Sequence, residues 1–258
     1  MQLAGSTALI TGASRGLGRA CALAMASAGA NLVLVARSRQ ELENTAQEAR
    51  SQGVRALALA VDLEDTGQAR QDVQSALQDN GPVDILVNNA AVIGPARFLE
   101  DQQDCSRWQR TLQINLQAAA CLIHELLPGM LEKGRGRVIN VVSGLASMAF
   151  PRFSAYCASK AGLLQLTRCL SQEYQGRGVQ FVGLDPGVLD TDMQAGIRSL
   201  DSRQLGPLRR QFMELKEQGQ LRAPQEVAKL VLALAKRDSE QDSGRVFAMR
   251  DLPDLQQA

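Results

Sequence analysis

Short apolar runs alternate with longer stretches of helical periodicity along the whole chain. Ala8-Leu9-Ile10 has the character of a buried strand, and the Ala-rich stretch Arg19 to Ala28 behind it reads as helix. Asn31 to Ala36, Ala56 to Val61, Asp84 to Val87, Arg137 to Val142, Val179 to Leu184 and Arg245 to Met249 are the further strand candidates. Between them lie predicted helices. One opens on a capping box, Ser38-Arg39-Gln40-Glu41, and ends at Gly53; another runs through Gln78. A long one covers Ser106 to Lys133, one carries Tyr156 and ends at Tyr174, and the last starts at Pro224. Strands separated by helical crossovers run parallel, so the pattern predicts an α/β fold: one doubly wound domain, a seven-stranded parallel sheet with helices on both faces. No repeat and no linker interrupts it. The only long irregular segment, Pro186 to Arg222, follows a strand's C-terminal end, where open α/β sheets bind ligands, and is expected to be a substrate lid.

A chain of 258 residues, 45% hydrophobic, is long enough for one large core. A formal charge of +1 gives no electrostatic reason to expect nucleic acid or an acidic membrane as partner, and 3% aromatics leave little for base stacking. No stretch reads as a bilayer span, and Met1-Gln2-Leu3-Ala4-Gly5-Ser6 runs straight into the first strand without a secretion signal, so a cytoplasmic location is expected. The five cysteines (Cys21, Cys105, Cys121, Cys157 and Cys169) are odd in number and lack Cys-x-x-Cys spacing, which argues against a disulfide framework and against a zinc site. His124, the single histidine, has no partner for a triad or metal and is expected to be structural.

The candidate chemistry sits in two places. Tyr156 and Lys160 are four residues apart on a predicted helix and share one face. An ammonium beside a phenol favours the phenolate, so Lys160 is expected to lower the Tyr156 pKa and let it exchange a proton with a carbonyl or alcohol oxygen. Tyr-x-x-x-Lys alone also arises by chance on surface helices. It gains meaning from Thr11-Gly12-Ala13-Ser14-Arg15-Gly16-Leu17-Gly18, a glycine turn between a strand and a helix. In that setting side-chain-free positions let backbone N–H groups approach a dinucleotide pyrophosphate at the positive end of the helix.

Together these motifs resemble the short-chain dehydrogenase/reductase family, a Rossmann-type fold, over nearly the whole chain. The matching pieces are Thr11 to Gly18, Asp62 with Leu63 after the third strand, Asn88-Asn89-Ala90, Asn115, Ser143, Tyr156, Lys160, and Pro186-Gly187-Val188 with Thr191. Ala91 departs from the glycine usual after Asn-Asn-Ala. The resemblance implies a catalytic set of Asn115, Ser143, Tyr156 and Lys160. Ser143 would polarise the carbonyl and Tyr156 would donate the proton. Lys160 would also bind the nicotinamide ribose, and Asn115 would hold a water that passes protons to the lysine. It implies a cofactor site of Gly12, Ser14, Arg15, Gly16, Leu17, Gly18, Arg37, Asp62, Leu63, Asn89, Ala90, Tyr156, Lys160, Pro186, Gly187, Val188 and Thr191.

Cofactor choice is read from charge. The second strand ends in Ala36-Arg37-Ser38, with no acid to bind both ribose hydroxyls, and Arg15 lies inside the glycine turn. Two guanidinium groups suit a 2′-phosphate, so NADP(H) is expected, with carbonyl reduction as the favoured direction. The stretch Asp185 to Arg198 is similar to that of sepiapterin and bacterial benzil reductases, which implies a ketone or vicinal diketone as the small-molecule carbonyl substrate. Leu189, Met193, Ile197, Phe212 and Met213 are candidate apolar lid residues that also make sense as lid packing. With Gly244 aligned on the glycine that opens the family's last strand, Asp251 takes the place of that group's pterin anchor; a solvated tail residue is the alternative. A 3-oxoacyl carrier-protein reductase, with Arg209-Arg210 facing an acidic carrier, and an NADPH-binding sensor without turnover stay open. The family implies a homodimer or homotetramer.

Overall fold

The computed structural model describes residues 2–94, 96 and 105–257. Its order is β1 (Thr7–Thr11), α1 (Gly16–Ser27), β2 (Asn31–Ala36), α2 (Arg39–Arg50), β3 (Ala56–Ala60), α3 (Thr66–Asn80) and β4 (Ile85–Asn88). Next come α4 (Ser106–Leu112), a π-helical turn (Gln113–Gln117), α5 (Ala118–Glu132), β5 (Gly136–Val141), α6 (Ser154–Glu173) and β6 (Val179–Leu184). The chain ends with α7 (Asp192–Ser199), α8 (Ser202–Leu205), α9 (Leu208–Glu217), α10 (Pro224–Lys236), β7 (Val246–Phe247) and α11 (Leu252–Gln257).

The seven strands are all parallel, in the order β3-β2-β1-β4-β5-β6-β7. Successive strand residues point to opposite faces, and each face meets a helical layer. Ala8, Ile10, Leu32 and Leu34 pack with residues of α1, α2 and α10, among them Cys21, Met25, Leu42 and Leu230. Leu9, Val33 and Val35 pack on the other face with Val73 of α3 and Leu122, Leu126 and Met130 of α5. Strand order reverses between β1 and β4, which opens a crevice at their C-terminal ends.

Several expectations shift. Ser38 precedes α2 but makes no side-chain capping bond, so the predicted capping box is absent. β7 shrinks to Val246–Phe247, because only Gly183 and Leu184 of β6 remain opposite it and a 3-10 turn begins at Met249. The segment 186–222 is not irregular: α7, α8 and α9 occupy most of it. The 27-residue run Ser106–Glu132 contains an 18-residue window with a mean hydropathy of 1.2, long and apolar enough for a span; half of that window is buried within the protein. Its apolar side is consumed by contact with the sheet and with α6. His124 is on the exposed side of α5.

A buried polar chain crosses the sheet beneath the crevice. Asn88 Nδ2 donates to Asn140 Oδ1 at 2.9 Å, Asn140 Nδ2 donates to Thr167 Oγ1 at 2.9 Å, and Thr167 Oγ1 donates to the Leu163 carbonyl at 2.7 Å. It ties β4, β5 and α6 together where Tyr156 and Lys160 must be aimed. Asn140→Ala would strand the Asn88 amide N–H in the interior and remove a donor to Thr167 Oγ1, which keeps its bond to the Leu163 carbonyl. We expect a loss of about 2 kcal/mol in urea unfolding at an unchanged m-value.

Candidate active site

The glycine turn is shaped by close approach. Gly12 and Gly16 have φ of +67° and +55°, the left-handed region that favours glycine. A Cβ on Gly18 would stand 2.2 Å from the Gly12 carbonyl oxygen, and one on Gly12 would stand 2.8 Å from Asn89 Nδ2. The turn is held by the strand ends around it. Gly12 N–H donates to the Val35 carbonyl at 2.8 Å, and Asn89 Nδ2 donates to the Thr11 carbonyl at 2.8 Å. Thr11 Oγ1, buried, accepts the N–H groups of Asn89 (2.9 Å) and Ala90 (3.0 Å). Asn89 therefore positions the turn, and Thr11 is the partner that the motif reading left without a role.

Around this cradle the structure places the other candidate cofactor residues. Leu17 is buried behind the turn, while Ser14 is partly exposed. Arg15 precedes α1 and pairs with Asp192 at 3.1 Å (NH1 to Oδ2). Arg37 follows β2, exposed, and makes no ion pair among the described residues. Asp62 is exposed after β3, its Oδ1 accepting the Glu64 N–H at 3.1 Å, with Leu63 buried next to it. Beyond β6, Pro186 is partly exposed and Gly187 takes φ +68° while donating to Asp185 Oδ1 at 3.1 Å. The Val188 carbonyl accepts the Arg222 N–H at 2.9 Å. Thr191 lies across the glycine turn, its Cγ2 3.4 Å from where a Gly16 Cβ would stand.

The catalytic candidates converge at the ends of β5 and α6. Ser143 heads a 3-10 turn, Gly144–Ser147, its Oγ accepting the Leu145 N–H at 3.2 Å, and its hydroxyl is near enough to the Tyr156 phenol to favour the phenolate. Lys160, buried, donates to the Val141 carbonyl at 2.7 Å, and its Nζ stands 5.8 Å from the Tyr156 ring centroid. Asn115 lies in the π-helical turn, a distortion that recurs at functional sites. Its amide is fully committed: Oδ1 accepts the Val92 N–H at 2.8 Å, and Nδ2 donates to the Val92 carbonyl at 2.8 Å and to Ser159 Oγ at 3.0 Å. Ser159 Oγ donates onward to the Tyr156 carbonyl at 2.8 Å. Ser159, fully buried, thus links Asn115 to the helix of Tyr156 and Lys160; its position three residues after the tyrosine was the available signal.

The candidate substrate residues separate. Phe212 and Ile197 are buried with Phe153 and Leu205, and Phe150, Tyr156 and Cys157 pack against that cluster. Met213 is partly exposed, and Met193, at 36% exposure, is among the few exposed large apolar side chains. Leu189 forms a parallel bridge with Arg222 and packs on the α1/α10 face. Asp251 caps its own turn, Oδ2 accepting the Ala248 N–H at 2.7 Å, so the structure gives this carboxylate a local partner. Among the described residues no group of three His, Cys, Asp or Glu is arranged to hold a metal.

Residues 6–201 match the short chain dehydrogenase family. The chain belongs to that family. It is 38% identical over 207 residues to the ketoacyl reductase HetN of Nostoc sp., covering 80% of this chain and 69% of that protein. It is 27% identical to the 3-oxoacyl-[acyl-carrier-protein] reductase FabG of Thermotoga maritima, over 96% of this chain and 98% of the relative. Among solved structures, a putative NAD(P)-dependent gluconate 5-dehydrogenase from Beutenbergia cavernae, with NADP bound, superposes with a TM-score of 0.84 at 32% identity, over 98% of both chains. None of these relatives is named as a sepiapterin or benzil reductase.

Charge at this short-chain dehydrogenase site departs from the simple expectation. Burial pushes the Tyr156 phenol up to about 12; the neighbouring Ser143 hydroxyl opposes that rise and the Asp185 carboxylate adds to it. The expected lowering by Lys160 is not seen, because the ammonium is turned to the Val141 carbonyl and desolvation outweighs it. Burial also lowers Lys160 to about 8. Tyr156 therefore keeps its proton at neutral pH, as a donor requires.

Lys160 should leave a mark on stability. From pH 8 to its ordinary 10.5 the unfolded chain holds the Lys160 proton more tightly than the folded one, so stability rises with pH there and its penalty is complete below 8. Tyr156 acts in the opposite direction only above 10. Urea unfolding between pH 8 and 10 should show a rise of ~2 kcal/mol that Lys160→Met abolishes.

Proposed function

We propose that this short-chain dehydrogenase is an NADPH-dependent carbonyl reductase acting on ketones or vicinal diketones with an apolar or aromatic flank. The observation that carries the reading is the placing of the Ser143 hydroxyl beside the Tyr156 phenol, with Tyr156 packed against the apolar cluster of Phe150, Phe153, Phe212 and Ile197. A substrate oxygen placed between the two hydroxyls is polarised by Ser143 and receives the Tyr156 proton, while the apolar wall takes the group attached to the carbonyl carbon. A protonated Tyr156 favours reduction over oxidation at neutral pH.

The glycine cradle and its arginines fit NADP(H). Gly12, Gly16 and Gly18 give the backbone access that a pyrophosphate needs, and Arg15 with Arg37 meets a 2′-phosphate where no carboxylate ends β2. The cofactor supplies the hydride when bound. Lys160 would hold the nicotinamide ribose, and Pro186 to Thr191 would contribute to the nicotinamide end of the site. Asn115 keeps the π-helical turn locked to Val92 and Ser159, which orients α6 and any water beside Lys160. We read 186–222 as the substrate lid of a single domain, with Met193 exposed on it, and the whole as a homodimer or homotetramer.

The named relatives favour a second reading, reduction of a 3-oxoacyl thioester. Arg209 and Arg210 are exposed on α9, where an acidic carrier protein would meet them, although Arg210 already pairs with Glu214 at 2.7 Å. Within the first reading, a pterin anchored by Asp251 would have to draw its carboxylate from the Ala248 N–H. A sensor without turnover would have no use for a Ser143 hydroxyl beside the Tyr156 phenol.

The cofactor assignment predicts that NADPH is preferred to NADH by at least tenfold in kcat/KM and that Arg37→Asp reverses the order, each charge-assisted contact contributing about 1.5–3 kcal/mol. Equal values in the unmodified protein would remove the 2′-phosphate argument. The chemistry predicts that Tyr156→Phe lowers kcat by at least ~10²-fold on benzil or a 3-oxoacyl thioester, whichever is turned over, with NADPH binding by fluorescence titration intact. Turnover of the thioester alone would select the second reading.

A further inference from the structure

Arg152 is the one non-glycine residue with positive φ (+71°) among those described. It lies between the Ser143 turn and α6, four positions before Tyr156. Such a backbone is unfavourable for a residue with a Cβ and persists only where its surroundings over-determine it. The side chain shows what holds it. Arg152 NH1 donates to the carbonyls of Arg203 (3.0 Å) and Gln204 (2.8 Å) in the last turn of α8. Those carbonyls have no partner further along a helix that stops at Leu205, and a guanidinium also answers the negative end of the helix.

The neighbouring backbone is shaped to admit it. Gly206, which ends α8, has φ +57°, and a Cβ there would stand 3.0 Å from Arg152 NH2 and 3.3 Å from its Cζ and Nε. The guanidinium therefore lies flat against a position kept free of side chain. Phe150 and Phe153 flank Arg152 and complete the clasp: their ring centroids are 6.3 and 5.8 Å from that of Phe212 on α9. One short segment thus grips α8 by polar bonds and α9 by rings, directly before the helix that carries Tyr156.

We propose that Arg152 is a positioning residue that pins the lid shut over Tyr156 and so sets the affinity for the carbonyl substrate. This rests on reading 186–222 as a substrate lid. The pin holds α8 at its C-terminal end, beside the aromatic cluster against which Tyr156 packs. Lid opening for substrate entry and product release breaks two hydrogen bonds to backbone carbonyls, which is a small enough change to be reversible on each turnover.

Glycine at this position is the informative substitution, because it relieves the backbone while removing the pin. Arg152→Gly, Arg152→Lys and the parent would be compared by hydrogen exchange of peptides covering 200–217, by thermal melting, by NADPH titration and by steady-state kinetics on benzil. For Arg152→Gly we expect exchange across α8 and α9 to rise about tenfold, with a melting temperature equal to or above the parent's. KM should rise about tenfold, with kcat within about twofold and NADPH affinity unchanged. Arg152→Lys, which keeps one donor group, should recover part of both effects. Parent-like exchange in Arg152→Gly would overturn the proposal, and so would a joint fall of melting temperature, kcat and NADPH affinity. The exchange measurement needs no substrate, so failure to turn over benzil would count against the carbonyl-reductase reading alone.

Discussion

The molecule depends on one close approach: the turn after β1 against the end of β4, at the point where the strand order reverses. Thr11 Oγ1 accepts two backbone N–H groups from Asn89 and Ala90, and the Asn89 amide returns a bond to the Thr11 carbonyl. The chains come near enough that a Cβ on Gly12 would meet Asn89 at 2.8 Å. Those bonds fix the floor of the crevice. Every functional element then hangs from it: α1 with its N-terminal amides, the loop after β4 that holds Asn115, and the β5 end that presents Ser143.

The second level of order is a set of polar side chains whose work is to aim others. Asn115 is locked to Val92 and Ser159; Ser159 reaches the Tyr156 carbonyl; Asn140 joins Asn88 to Thr167 on the same helix. Buried amides left unpaired are costly, so satisfied ones specify a single arrangement. α6 is held at several points along its length, and Tyr156 and Lys160 inherit that precision. Their protonation follows from the same burial: the phenol keeps its proton and the ammonium loses its grip on one at a lower pH than usual.

The third level is the segment beyond β6. Lys216 Nζ ties it to itself at Asp190 (2.6 Å), and it is anchored to the rest of the protein at Arg15–Asp192 beside the glycine turn and at Arg152 before α6. The exposed ion pairs are individually weak, and the aromatic cluster with the Arg152 clasp gives the segment its firmest seat. The glycine turn and the approach to the catalytic helix are thus both in contact with the same stretch of chain.

Sequence alone determined the layers and the parallel sheet, and it pointed to the residues of the candidate site. Short apolar runs between helical stretches admit few folds, and Gly12, Gly16, Gly18, Ser143, Tyr156 and Lys160 were singled out because their chemistry depends on residue type and spacing. What it did not determine were quantities fixed by three-dimensional neighbours. The Tyr156 pKa depended on where the Lys160 ammonium pointed and on burial, and a spacing of four residues states neither. The helices of 186–222, the turn-capping role of Asp251, the use of Thr11 and Ser159, and the strained Arg152 backbone all arise from contacts between residues far apart in the chain or from a local geometry that tertiary packing imposes. A polar side chain in a sequence lists what it can bond; only the fold decides which partner arrives.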